Sequence, residues 1–210
     1  MSGEREPIFK APWPPLLLAG VIVVGYGLQV LLDRPDADLA SYAFRAADLG
    51  EGRWQTLFTA LFLHGSWGHA LVNAGSALAF GTPVARLFGT DARGSAVFLV
   101  FYLLCGALAS LGYGLVHPGG TELLVGASGA VSGLMGASAR ILAGRGEPGP
   151  YRSPIVLGMA GAWIGINLMI AVLGFSPGMG QGPVAWEAHL AGFAAGLVLI
   201  DPFNWVLRRR

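Results

Sequence analysis

Ser128 lies in the stretch Gly126-Ala127-Ser128-Gly129, which opens a glycine-rich apolar segment. A serine with such small neighbours is accessible to another backbone. Its hydroxyl is a poor nucleophile until a base removes its proton, and that base must lie within about 3 Å. Small residues in apolar segments ordinarily serve helix packing. The stretch therefore indicates a nucleophile only if a base elsewhere in the chain reaches Ser128.

His189 is the candidate base. Its spacing to Gly192 and Gly196 is i, i+3 and i+7, which places all three residues on one helical face. A second stripe of small residues, at steps of three and four, surrounds Ser128 and consists of Gly126, Gly129, Gly133 and Gly136. Two faces without side-chain bulk can approach closely. We expect this contact to bring His189 to Ser128.

His69 and Asn73 are the candidate oxyanion donors. Acyl transfer by a serine develops a negative oxygen, which requires hydrogen-bond donors in a low-dielectric site. The i, i+4 spacing places His69 and Asn73 on one helical face. Together with the backbone N–H of Ser128 they offer the required donors. The alternatives are a hydrogen bond between His69 and Asn73 within one helix and, for His189, a polar contact between helices.

The composition indicates that these residues lie in a membrane. The chain has 210 residues, of which 54% are hydrophobic and 12% charged, whereas about a quarter of a soluble domain is charged. The first apolar run, 14–32, ends in Asp33-Arg34-Pro35 without a signal-peptide cleavage site. The single cysteine, Cys105, is predicted to be a packing residue because it lies in an apolar run. An all-α polytopic membrane protein is therefore predicted.

Six transmembrane helices are predicted, at about 20 apolar residues per span. Their ranges are 14–32, 68–87, 94–114, 123–143, 154–174 and 186–206. Residues 54–63 are also apolar and are predicted to form an interfacial or re-entrant piece packed on the bundle. A short helix is expected around 40–49. The predicted division is a short cytoplasmic segment 1–13, a membrane domain 14–206 and a basic tail 207–210.

Basic residues are distributed unevenly between the two sides of this arrangement. One side carries only Arg34, Arg45 and Arg53, with seven of the 12 acidic residues, while the other carries ten of the 13 basic residues. Positive residues favour the cytoplasm, so both termini are predicted to be cytoplasmic. Three helices then begin at the outer side. This topology brings a set of polar residues to one depth, namely His64, His69, Asn73, Ser128 and His189.

A metal site and a small transporter are two alternative functions for this set of residues. His64, His69 and His189 offer three nitrogens to a metal, but the His-Glu-x-x-His pattern of zinc proteases is absent. A small transporter typically has broken helices and internal repeats, and no clear repeat is found. No basic patch for nucleic acid is found either. The loop 174–184, rich in glycine and proline, is predicted to be a mobile lid.

The order and spacing of these motifs resemble those of the rhomboid family of intramembrane serine proteases. The pattern is His64-x4-His69-x3-Asn73, then Gly126-x-Ser128-Gly129, then His189-x2-Gly192-x3-Gly196. The resemblance covers all six predicted helices. It implies a six-transmembrane-helix rhomboid-type bundle with a Ser–His dyad and neither metal nor cofactor.

The resemblance also implies a role for each matching residue. Ser128 is the nucleophile and His189 the general base, while His69 and Asn73 match the oxyanion positions. His64 matches a structural histidine, and the supporting glycines are Gly126, Gly129, Gly192 and Gly196.

The implied substrates are single-pass or polytopic membrane proteins in lipid, which reach the site past 154–184. The expected location is the bacterial inner membrane, with the site near the outer face. The alternative is a non-catalytic rhomboid-like protein that binds membrane clients. Such proteins lose the serine or the histidine, whereas both are present here.

The chain departs from the family pattern in two places. Gln55-Thr56 replaces the usual Trp-Arg pair, with Arg53-Trp54 just upstream, so the usual anchor of the first outer loop is missing. Ser132 stands where many members have an aromatic residue against which the histidine ring stacks. We expect His189 to be oriented instead by another neighbour, such as an aromatic residue like Trp186 or a hydrogen bond to Ser132.

Overall fold

Helices form all the regular structure in residues 11–33, 36–174 and 184–208, which are the part of the chain described by this computed structural model. They are α1 (Trp13–Leu31), α2 (Asp36–Tyr42), α3 (Thr56–Thr59), α4 (Trp67–Phe88), α5 (Ala92–Val116), α6 (Ser128–Ala143), α7 (Pro154–Leu173) and α8 (Trp186–Arg208). Short 3-10 helices cover Ala46–Leu49 and Ala60–Phe62. Most of the predicted lid, 175–183, lies outside the described residues.

Four of the described helices are long and apolar enough to cross a membrane, namely α1, α5, α7 and α8. The prediction of an all-α protein with membrane helices is therefore confirmed. Helix α6 has only 16 residues, fewer than the roughly 20 that a bilayer span needs. Helix α4 has 22 residues but a more polar composition. The count of six spans stays a prediction.

Helix α6 lies at the centre of the bundle and packs against α4, α5, α7 and α8. Most of its residues are buried. A helix enclosed by other helices needs no long apolar side chains facing lipid, and small residues allow its neighbours to approach. This explains why α6 is rich in glycine, alanine and serine.

Glycines of α6 and α8 meet backbone to backbone. A Cβ added at Gly192 would overlap the carbonyl group of Gly129, and one added at Gly196 would overlap that of Gly133. The four-residue spacing of the glycines on α8 thus matches the four-residue spacing of their partners on α6. The contact leaves no room for side chains and fixes the register of the two helices.

Contacts at the helix ends define the direction of the long helices. At one end, His69, Ser128 and His189 line a common cavity near the first turns of α4, α6 and α8. At the other end, Arg140 in the last turn of α6 binds Asp201 of α8. Helices α4, α6 and α8 therefore run in the same direction, from the end that holds Ser128.

Helix α6 begins at Ser128, so the predicted start at residue 123 was wrong. Leu124 pairs with Phe44 through two backbone hydrogen bonds of 2.8 and 3.0 Å. Gly126 has φ +117°, which a right-handed helix does not permit. Gly126 therefore precedes α6. The prediction that it belongs to the glycine stripe of this helix was wrong.

The loop between α1 and α4 is held by a buried carboxylate. The predicted helix at 40–49 is divided into the end of α2 and a 3-10 helix, with an extended Arg45 between them. Asp48 is fully buried and forms ion pairs of 3.2 Å with both Arg45 and Arg53. Arg53 also donates to the Ser41 carbonyl. These contacts anchor the loop although Gln55-Thr56 replaces the usual pair.

Candidate active site

The side chains of Ser128 and His189 are in hydrogen-bond contact. The Ser128 Oγ lies 2.8 Å from Nε2 of His189. Ser128 is the first residue of α6, and His189 lies in the first turn of α8. Because α6 and α8 pack closely through their glycines, the side chains in the first turns of the two helices lie next to each other. Such a distance suits proton transfer from the hydroxyl to the ring.

Asn167 of α7 holds the other side of the His189 ring. Its Oδ1 lies 2.8 Å from Nδ1 of His189. The Nδ2 of Asn167 donates to the Trp163 carbonyl one turn earlier, at 2.9 Å, so the oxygen of the amide must face the histidine. The proton of the neutral ring therefore lies on Nδ1, and Nε2 accepts from the Ser128 hydroxyl.

Trp163 provides the aromatic contact to His189. The two ring centroids are 5.7 Å apart with an interplanar angle of 35°. Ser132 does not contribute, because its hydroxyl donates to the Ser128 carbonyl at 2.7 Å. The expected aromatic neighbour is therefore Trp163 and not Trp186, and the expected hydrogen bond from Ser132 to His189 does not form. Because Ser132 is small, the space beside the His189 ring is filled by Trp163 from α7.

Neither Trp163 nor Asn167 is among the residues predicted from the sequence. The available signal was Asn167 itself, because an amide in an otherwise apolar helix is costly without a partner. That signal does not identify the partner. Asn167 is fully buried, although most of α7 is exposed. The contact joins residues 22 positions apart, so no local pattern reveals it.

His69 packs against the glycine that precedes the helix. A Cβ at Gly126 would lie 2.6 Å from the Cε1 and Nε2 atoms of His69. Only glycine combines this close approach with a positive φ. The ring of His69 therefore lies directly over the chain that leads to Ser128.

His64, which directly follows residues 54–63, binds the same stretch of chain. Its Nε2 accepts from the N–H of Ala127 at 3.4 Å, and its backbone exchanges two hydrogen bonds with the Gln29 side chain. Burial, aided by the nearby His69, lowers the pKa of His64 to about 4. His64 therefore remains neutral near pH 7, which its role as an acceptor requires.

Six buried side-chain atoms have no hydrogen-bond partner among the described residues. Two of them are the Nε2 of His69 and the Nδ2 of Asn73. Buried polar groups are normally paired, and an exception requires an explanation. Helix α4 carries both, with His69 in its first turn and Asn73 one turn later. Both side chains are buried.

A cavity of about 780 Å³ opens beside Ser128. Its lining includes Ser128, His189 and His69, with Ile170 and Ala171 of α7 on another side. His117, at the end of α5, is paired with Glu187 of α8 at 2.9 Å on the cavity wall. No cluster of three or more potential metal ligands occurs in the described ranges. Ser128, His189 and His69 therefore face one cavity.

The fold and site are those of a helical membrane protein with a serine–histidine pair at the ends of two helices. A comparison with protein families matches residues 51–205 to the rhomboid domain. The match covers more than half of the chain, which therefore belongs to the rhomboid family and is an integral membrane protein. This family includes proteases and inactive homologues. A search of curated proteins found no match to the sequence.

Proposed function

We propose that this protein is an intramembrane serine endopeptidase. It cleaves transmembrane or membrane-proximal segments of other membrane proteins, single-pass or polytopic. The observation that carries the proposal is the 2.8 Å contact between Ser128 Oγ and His189 Nε2 beside a cavity. Membership of the rhomboid family supports the same activity.

In the first step, the substrate carbonyl lies in the cavity next to Ser128. His189 Nε2 takes the hydroxyl proton while Oγ bonds to the carbonyl carbon. The C–N bond then breaks, and the imidazolium returns its proton to the leaving amine. An acyl-enzyme on Ser128 and a free amine product result.

In the second step, His189 takes a proton from water, and the hydroxide oxygen attacks the acyl carbon. The bond to Oγ breaks, and the proton returns to Ser128. The carboxylic acid product leaves. No metal or cofactor takes part in either step.

The oxyanion of each step is stabilised by the Ser128 N–H, His69 and Asn73. The free Nε2 and Nδ2 atoms of the two side chains support this assignment. The first N–H groups of a helix have no acceptor within it, and the helix dipole favours negative charge at this end.

The proposed setting is a bacterial inner membrane, with six spans and both termini in the cytoplasm. The ends of the helices that hold Ser128, His69 and His189 then face outward. At the opposite end lie most of the described arginines, including Arg140 and its neighbours. This distribution favours a cytoplasmic position for that end.

Cleavage of a transmembrane substrate by the purified protein tests the proposal. Replacement Ser128→Ala is expected to reduce kcat by at least about 1000-fold, as is typical for loss of a nucleophile. Ser95→Ala is the matched control. Ser95 is a buried serine in the first turn of α5, at the end of that helix that lies away from the cavity. A strong chelator is expected to leave activity unchanged.

Two results would contradict the proposal. Cleavage by folded Ser128→Ala at the wild-type rate would show that Ser128 is not the nucleophile. Loss of activity with the chelator would show that a metal is required. A client-binding protein would instead co-purify with a membrane partner without cleaving it.

A further inference from the structure

Helix α7 is the least enclosed of the four apolar membrane helices. Only 11% of its most apolar stretch is buried within the protein, against 22–50% in α1, α5 and α8. Its buried residues are Val156 and Asn167. The amide of Asn167 is therefore the polar side chain that this exposed helix directs inward, and it contacts His189.

The His189 ring has little else to fix its orientation. Gly192, one turn after His189, and Gly129, next to Ser128, carry no side chains. Ser132 is bonded within its own helix. Trp163 limits the tilt of the ring, but an aromatic face does not distinguish one ring nitrogen from the other. The hydrogen bond to Asn167 does.

We propose that Asn167 is a positioning residue for His189, so that the working unit is Ser128–His189–Asn167. This inference rests on the proposed protease function. Asn167 Oδ1 accepts from Nδ1–H and keeps Nε2 directed at Ser128. The same bond also stabilises the positive ring that forms when His189 takes the proton. In serine proteases a carboxylate performs both tasks, and here a neutral amide does so.

The amide is itself held by its neighbours. Its Nδ2 bond to the Trp163 carbonyl prevents the group from turning its nitrogen toward His189. A carboxylate at this position keeps the acceptor but loses the donor to Trp163. An apolar residue of similar size keeps the packing but loses both. These two changes separate positioning from packing.

The test compares Asn167→Leu, Asn167→Ala and Asn167→Asp in the full-length purified protein. Asn167→Leu matches the size of the amide, and Asn167→Ala covers the case in which leucine does not fit. Leu168→Ala is the control, since Leu168 is the next residue on α7 and faces outward. The readouts are kcat, KM and the rate at which a small fluorophosphonate labels Ser128, all measured on the folded fraction.

The apolar variants are expected to lose about 100-fold in both kcat and labelling rate, as for a misplaced catalytic group. KM is expected to stay within about twofold, because Asn167 does not contact substrate directly. Asn167→Asp is expected to remain within about tenfold of the wild type, because it retains the acceptor. Leu168→Ala is expected to match the wild type.

The inference is overturned if folded Asn167→Leu or Asn167→Ala labels at the wild-type rate. It is also overturned if Asn167→Asp is as slow as Asn167→Leu, since the acceptor would then have no effect. A wild-type protein that neither cleaves nor labels at Ser128 would instead refute the protease function.

Discussion

Ser128 is the first residue of α6, and this position serves its proposed chemistry. A nucleophile in mid-helix would have its own N–H bonded to the preceding turn. At the first position, the N–H has no acceptor within the helix. The same residue then supplies the attacking oxygen and one oxyanion donor.

Asn73 is expected to stabilise the oxyanion mainly in the transition state. Its Nδ2 is buried without a partner among the described residues. Asn73→Ala is therefore expected to lower kcat by about 100- to 1000-fold, the usual effect of removing one such donor, with little change in KM. Steady-state kinetics on a transmembrane substrate provides the measurement.

Asn204→Ala is the control for this prediction, because the Asn204 side chain binds Glu147 near the opposite end of the bundle. An Asn73→Ala variant with a kcat within about twofold of the wild type would show that Asn73 makes no transition-state bond.

Gly126 is expected to be irreplaceable because two demands coincide there. Gly126→Ala places a methyl group against the His69 ring at a positive φ, so both a drop in Tm and a loss of cleavage are expected. Positive φ alone costs an alanine about 1–2 kcal/mol. Thermal unfolding and kcat are measured together.

Gly119 offers a matched control, with φ +71° but no atom within 4 Å of an added Cβ. Gly119→Ala should show the backbone penalty while retaining cleavage. Equal activity of both variants would contradict a role for the contact between Gly126 and His69.

At the scale of elements, the contact between α6 and α8 determines whether Ser128 and His189 meet. Gly196→Ala inserts a methyl group into the backbone of Gly133. The two helices must then separate, and overpacking of this kind costs about 1–3 kcal/mol. We expect a lower Tm in detergent and a reduced kcat.

Gly75→Ala on α4 is the comparison, because nothing lies within 4 Å of its added Cβ. An alanine there should be neutral or stabilising, by up to about 1 kcal/mol. If Gly196→Ala and Gly75→Ala unfold at the same temperature with equal kcat, close packing of the two helices is unnecessary.

The sequence predicts some elements well and others poorly, for physical reasons. The predicted 14–32 and 154–174 differ from α1 and α7 by no more than one residue at either end, because apolar runs and nearby prolines mark them. The start of α6 was missed because residues 123–127 are apolar, although Leu124 bonds to Phe44. The support of His189 was missed because it depends on packing between helices.

The whole molecule has a serine–histidine pair at one end and a buried arginine at the other. Arg140 donates to the Gly149 and Leu197 carbonyls and to Asp201, and its guanidinium lies over the Tyr151 ring. These bonds join α6, α8 and the loop before α7. The proposed topology places this end in the cytoplasm.

Accessibility of introduced cysteines tests that topology. Cys105 is fully buried and is expected to stay unlabelled. Gly119 and Gly146 lie near opposite ends of the helix bundle, just after α5 and α6. Both have positive φ, and an added Cβ at either one meets no atom within 4 Å. A membrane-impermeant maleimide applied to intact cells should label Gly119→Cys, and Gly146→Cys only after permeabilisation. The reverse pattern would invert the topology.

The most direct test of the account is the site of covalent modification by a fluorophosphonate. Such a probe bonds to a serine only when a base activates it. We predict a single adduct, located on Ser128 by peptide mass, that is lost in His189→Ala. A folded wild-type protein without an adduct, or an adduct on Ser128 that persists at full rate in His189→Ala, would contradict the claim that these two residues form the catalytic pair.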